Sequence, residues 1–79
     1  MKKVKVYSTP ACPFCAMTKN FLREHGIEFE DINVQENYEA AREMIRISGQ
    51  TGVPVTEIDG EVIIGFNEKR LREELDIDE

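Results

Sequence analysis

A chain of 79 residues fits one domain, and a fold this size buries only about 60% of the surface its unfolded form exposes. Ten Lys and Arg against 16 Asp and Glu leave a net charge of -6, which phosphate backbones repel, so general nucleic-acid binding is excluded. With 41% hydrophobic residues the chain can fold, and its two cysteines are too few for the disulfide framework of a small secreted domain.

Met1-Lys2-Lys3 begins as a signal peptide does. The following Val4-Lys5-Val6-Tyr7-Ser8 alternates, however, and is too short for an apolar h-region. No run approaches the roughly 18 apolar residues of a membrane span. The expectation is a soluble, cytoplasmic protein that touches neither membrane nor nucleic acid. In that compartment a close cysteine pair is catalytic or metal-binding rather than structural.

Val4, Val6 and Ser8 alternate with Lys3, Lys5 and Tyr7, which predicts a first strand. Pro10 and Pro13 bracket a loop, and Pro13 suits the first helical position, where a missing N–H costs nothing. Phe14, Met17, Phe21 and Leu22 form the apolar face of that helix, and Gly26 stops it. Ile27, Phe29 and Ile32 predict a second strand ending near Asn33. Asn37 caps a second helix with Tyr38, Ala41, Met44, Ile45 and Ser48 on its inner side, and Gly49 ends it. Val53 to Ile58 reads as a strand with Pro54 near its start, where a strand tolerates proline. Asp59-Gly60 is a two-residue hairpin turn, and Glu61 to Ile64 returns. Asn67 caps the last helix, with Phe66 and Leu71 placed for a hydrophobic staple and Leu71 and Leu75 on one face. The acidic tail Asp76-Ile77-Asp78-Glu79 is expected to fray.

There are no repeats or linkers, and residues 1–79 read as a single domain. The order β-α-β-α-β-β-α makes the first two strands parallel, with a right-handed crossover, and the Asp59-Gly60 pair antiparallel. One mixed sheet with helices on its faces, an α/β architecture, is the simplest packing.

The chemistry lies in Cys12-Pro13-Phe14-Cys15. Cys12 falls at the helix start, where unpaired N–H groups and the helix dipole favour an anion, so it is the candidate nucleophile. Cys15 follows one turn later, close enough to bridge it. Cys12 can then attack a disulfide, and Cys15 can displace the product from the mixed disulfide. A zinc site needs four ligands, and only His25 accompanies the two cysteines. His25 itself reads as a residue at the helix C-terminus with no catalytic part. Lys69-Arg70 and Glu73-Glu74 read as a solvated helix face. Tyr7 reads as a packing residue, and Phe14 as an exposed contact surface beside the dithiol or else as core.

The stretch from Val4 through Cys12-Pro13-Phe14-Cys15 resembles the opening of a glutaredoxin, whose usual motif is Cys-Pro-Tyr-Cys. Gly52-Val53-Pro54 resembles that family's Thr-Val-Pro segment, and Ile64-Gly65-Phe66 falls at its glycine turn. The resemblance covers nearly the whole chain. It implies the thioredoxin fold, a four-stranded mixed sheet flanked by three helices. It implies a thiol-disulfide oxidoreductase with Cys12 as nucleophile and Cys15 as resolving thiol. It also implies that Pro54 is cis and lies against the dithiol. Val53 would then offer its backbone to an extended substrate. Pro13, Phe14, Gly65 and Phe66 complete the implied binding rim.

The departures concern the reductant. Glutaredoxins commonly carry a basic residue shortly before the first cysteine, and here Ser8-Thr9-Pro10-Ala11 has none. They tend to follow the glycine turn with two acids, and here Phe66-Asn67-Glu68-Lys69 offers one. Fewer charge-assisted contacts weaken docking of a charged tripeptide. Gly65-Phe66 also resembles the turn of the NrdH-redoxins, which thioredoxin reductase reduces and which serve ribonucleotide reductase. The reading is a monomeric reductant of protein disulfides without a cofactor, its own electrons coming from glutathione or thioredoxin reductase, with a lean to the latter. The competing reading is a dimer binding an iron–sulfur cluster or metal through Cys12, which the rigid Pro13 beside that thiol disfavours.

Overall fold

In a computed structural model the described residues are 2–77. Four strands and three helices follow one another as β1 (Val4–Ser8), α1 (Pro13–Glu24), β2 (Glu30–Asn33), α2 (Tyr38–Ser48), β3 (Val55–Ile58), β4 (Glu61–Ile64) and α3 (Glu68–Leu75). The strands form one sheet in the order β2-β1-β3-β4. β1 and β2 run parallel, and the other two pairings are antiparallel. This is the mixed sheet that the sequence predicts.

Strand alternation sorts the core into two layers. On one face Val4, Val6, Ile58 and Ile63 meet Phe21 and Leu22 of α1 and Leu71 of α3. On the other, Tyr7 and Val55 meet Met44 of α2, with Ala40 and Ile47 packed alongside. β1 therefore buries both faces: Val6 and Tyr7 are neighbours in sequence and lie in different layers. Tyr7 is a packing residue, as expected.

Local chemistry fixes the ends of the elements. The Cys12, Asn37 and Asn67 side chains each accept a backbone N–H from the first turn of their helix. Phe66 and Leu71 share the first layer, as the staple requires. Asp59 and Gly60 both have positive φ, which a two-residue hairpin turn of the common primed type needs. Gly26, with a positive φ just past the end of α1, turns the chain so that the Ile27 N–H donates to the Leu22 carbonyl at 2.9 Å and Ile27 folds back onto the core.

Several expectations are corrected. Phe14 and Met17 of α1 are 58% and 45% exposed, because the stripe facing the sheet is Cys15, Thr18, Phe21 and Leu22. Of the two readings of Phe14, exposure beside the dithiol holds. On α2, Tyr38 and Ile45 face outward, and Ala40 with Ile47 replaces them on the inner side. The frame of that helix is set by Met44, which is buried. Ile27 and Phe29 pack as loop residues, and β2 begins only at Glu30. β3 begins at Val55, after Val53 and Pro54. The predicted fraying does not reach Asp76 or Ile77. The Ile77 N–H donates to the Arg72 carbonyl at 2.9 Å, and its side chain packs on the first layer. Asp78 and Glu79 lie outside the described residues.

Candidate active site

β1 delivers the chain into the Thr9–Ala11 loop, and Pro13 opens α1 immediately behind Cys12. Cys12 is the N-cap, with extended backbone (φ -111°, ψ 111°). Its Sγ accepts the Cys15 backbone N–H at 3.2 Å. The helix terminus thus offers an otherwise unpaired donor to this sulfur, an arrangement suited to an anion. The same sulfur lies 3.9 Å from the Val53 carbonyl oxygen, which accepts its thiol proton.

Cys15 has the opposite setting. It is 1% exposed, on the stripe of α1 that faces the sheet. Burial pushes its thiol up from an ordinary 9.0 to about 11, and the hydrogen bond to Cys12 adds to that rise. A Thr9 backbone hydrogen bond and the Lys19 charge act in the other direction. Both cysteines are free thiols. One turn of helix thus carries a half-buried sulfur with a donor aimed at it and a buried sulfur held protonated.

The Val53–Pro54 peptide is cis, and Pro54 is buried. Its carbonyl accepts the Gly65 N–H at 2.8 Å, which ties the Gly65 turn to the proline loop. Gln50 shapes the approach to that loop. Its Oε1 accepts the Gly52 N–H at 2.8 Å, and its Nε2 donates to the Gly52 carbonyl at 3.1 Å. A Cβ on Gly52 would come within 2.8 Å of that Oε1, so the glycine makes room for the folded side chain.

The structure therefore brings Cys12, Cys15 and Val53 together, with Pro54 next to Val53 and Gly65 bonded to Pro54. Pro13 and Phe14 are exposed on the first turn beside the thiols. Phe66 takes the staple position, its ring 6.2 Å from that of Phe21 in a near edge-to-face arrangement. Among the described residues no group of three or more His, Cys, Asp or Glu side chains converges. His25 caps α1 and lies against Phe21, with ring centroids 4.4 Å apart and the planes tilted by 53°. No helix of the described residues is long and apolar enough to cross a membrane.

One feature escapes the sequence reading: a cluster of Ser8, Lys19 and Asp31 beneath α1. The available signal was a lysine on the stripe that is otherwise buried, four residues past Cys15.

A vicinal thiol pair at a helix N-terminus, on a four-stranded mixed sheet beside a cis-proline, defines a small dithiol redoxin. The glutaredoxin family model matches residues 4–63. An uncharacterised glutaredoxin-like 8.6 kDa protein of a rubredoxin operon in Clostridium pasteurianum is 46% identical over 68 residues, covering 86% of this chain and 91% of that one. A glutaredoxin from Archaeoglobus fulgidus superposes with a TM-score of 0.86 at 31% identity, covering 95% of this chain and 87% of the other. The glutaredoxin-like NrdH-redoxin from Escherichia coli, described as having a thioredoxin-like activity profile, gives 0.82 at 28% identity, with 90% and 92% covered. The chain belongs to the glutaredoxin family and has the thioredoxin fold. Thiol-disulfide oxidoreduction is the general activity of that family.

Proposed function

We propose that this chain is a single-domain, monomeric dithiol reductant of protein disulfides in the cytoplasm, with Cys12 as nucleophile and Cys15 as resolving thiol. The observation that carries the reading is the unequal pair: Cys12 Sγ accepts a helix N-terminal N–H at 3.2 Å, while Cys15 is 1% exposed and holds its proton. The Cys12 thiolate attacks a substrate disulfide, and one substrate sulfur leaves with the electron pair. Cys15 then loses its proton and bonds to Cys12, and the second substrate sulfur departs. The dithiol gives up two electrons, and the substrate disulfide receives them. No cofactor takes part.

The rim residues supply binding. The Val53 backbone pairs with an extended segment of the substrate, and Pro54 and Gly65 hold that edge in place. Pro13 and Phe14, on the exposed first turn, meet the partner, and Phe66 supports the turn from the core side.

The electron donor is a flavoprotein of the thioredoxin reductase type rather than glutathione. Two observations support this. The Ser8–Ala11 loop carries no cation, and the Glu68 carboxylate, the one acid after the glycine turn, is already engaged by Arg72 at 2.8 Å. The similarity to the NrdH-redoxin points the same way. A turnover assay with each reductant tests it. Activity with thioredoxin reductase is expected. Robust activity with glutathione plus glutathione reductase, and none with thioredoxin reductase, overturns the assignment. In the same assay Cys12→Ser abolishes disulfide reduction, and Cys15→Ser accumulates mixed disulfides on Cys12. Alkylation of Cys15 ahead of Cys12 in the reduced protein reverses the two roles.

A further inference from the structure

α1 turns Cys15, Thr18 and Leu22 onto the sheet, and all three are buried. Lys19 lies on this stripe one turn past Cys15, where an apolar residue would extend the core. Its side chain is 18% exposed, the lowest value for a cation in any ion pair among the described residues. Its Nζ donates to Asp31 Oδ2 at 3.0 Å and to Ser8 Oγ at 3.4 Å. Ser8 Oγ in turn donates to Asp31 Oδ1 at 2.9 Å, which closes a ring of three residues. The placement follows from strand alternation. Ser8 shares the α1 face of β1 with Val4 and Val6, and Asp31, the register partner of Val6, faces the same way from β2.

Stability does not account for this cluster, because an ion pair with a half-open carboxylate contributes little. Its neighbour on the helix is the buried thiol. The groups that act on the Cys15 thiol are Cys12 at the N-cap, Lys19 of α1 and the backbone of Thr9 just after β1, while Ser8 and Asp31 meet Lys19 from β1 and β2. Val53 and Pro54 of the facing loop carry no charge. Of the side-chain charges acting on Cys15, that of Lys19 favours its thiolate.

We propose that Lys19, anchored by Asp31 and Ser8, is a positioning residue for the resolving half of the cycle, its ammonium stabilising the Cys15 thiolate as it forms. The inference rests on the dithiol reading given above. In the step, the Cys15 proton passes to solvent, the Cys15–Cys12 sulfur bond forms, and the bond from Cys12 to the substrate sulfur breaks. That sulfur leaves as a thiolate. Lys19 neither gains nor loses a proton.

Reaction of the reduced protein with dithiobis(nitrobenzoate) separates the two halves. Attack by Cys12 releases a first thionitrobenzoate at a rate that depends on reagent concentration. Displacement by Cys15 releases a second at a rate that does not. Lys19→Gln is expected to slow the second phase about three- to tenfold at neutral pH and to move its pH profile upward, with the first phase unchanged. Lys19→Arg is expected to restore the second phase. Asp31→Asn, which removes the opposing charge and leaves Ser8 and the amide oxygen to hold the ammonium, is expected to move the profile downward. An unchanged second phase in Lys19→Gln overturns the proposal. So does a failure of Lys19→Arg to restore it, or a shift of Asp31→Asn in the same direction as Lys19→Gln, since packing alone would do either. A wild-type protein with no second phase, or a second phase that survives in Cys15→Ser, refutes the dithiol reading itself.

Discussion

The buried Cys15 thiol makes the reduced protein sensitive to alkali in a way that can be worked out beforehand. Folding raises this thiol from 9.0 to about 11, chiefly by taking it out of water. A rise of that size corresponds to about 2–3 kcal/mol. Below the unfolded value both states keep the proton, and that contribution is fully present. Above it the unfolded chain ionises while the folded one does not, so stability falls until the pH passes the folded value. Between about pH 8 and pH 10 the unfolded state gains roughly tenfold on this group alone, about 1 kcal/mol. Urea unfolding under reducing conditions at both pH values, on wild type and Cys15→Ala, measures it. Tyr7, which burial also pushes up, is present in both proteins and cancels. The wild type is expected to lose about 1 kcal/mol more than the variant, a shift of the urea midpoint by about 1 M. Parallel losses in the two proteins would refute the argument, since they would mean that Cys15 ionises as readily folded as unfolded.

Leu71, fully buried where α3 meets the first layer, is expected to cost about 2–5 kcal/mol as Leu71→Ala in the same urea assay. Met17→Gln is expected to change stability by no more than about 0.5 kcal/mol despite the apolar side chain, because Met17 lies on the solvent side of α1. Asn67→Ala removes the acceptor of the Arg70 N–H at the start of α3 and is expected to cost about 1 kcal/mol. Asn67→Asp is expected to keep that cap.

Sequence is most legible where one residue type imposes a backbone geometry. Asn37 and Asn67 cap helices because their carboxamides reach the first-turn N–H groups, and Asp59-Gly60 turns because both residues accept positive φ. The returning strand of the hairpin is legible to the residue, and the first strand is legible except that Lys3 lies outside it. Helix faces were less so. Phe14, Met17, Tyr38 and Ile45 are apolar and spaced for a helix, but spacing gives a period and not its phase. Strand lengths failed for a related reason. Ile27, Phe29 and Val53 are partly buried by packing against a layer, and an apolar residue does so equally well from a loop.

The candidate site divides along the same line. Cys12-Pro13-Phe14-Cys15 already places two sulfurs one turn apart at a helix start, since the proline sets the first turn and the spacing does the rest. That is local geometry, and the sequence determined it. The difference between the sulfurs is not local. The sheet closes over Cys15 and leaves Cys12 half open, and Val53, 41 residues away, sets its carbonyl 3.9 Å from the Cys12 sulfur. Lys19 is marked in the sequence only by its place four residues past Cys15. Only the pairing of β1 with β2 gathers Ser8 and Asp31 beneath it, because contacts between strands depend on register and register is a property of the folded sheet.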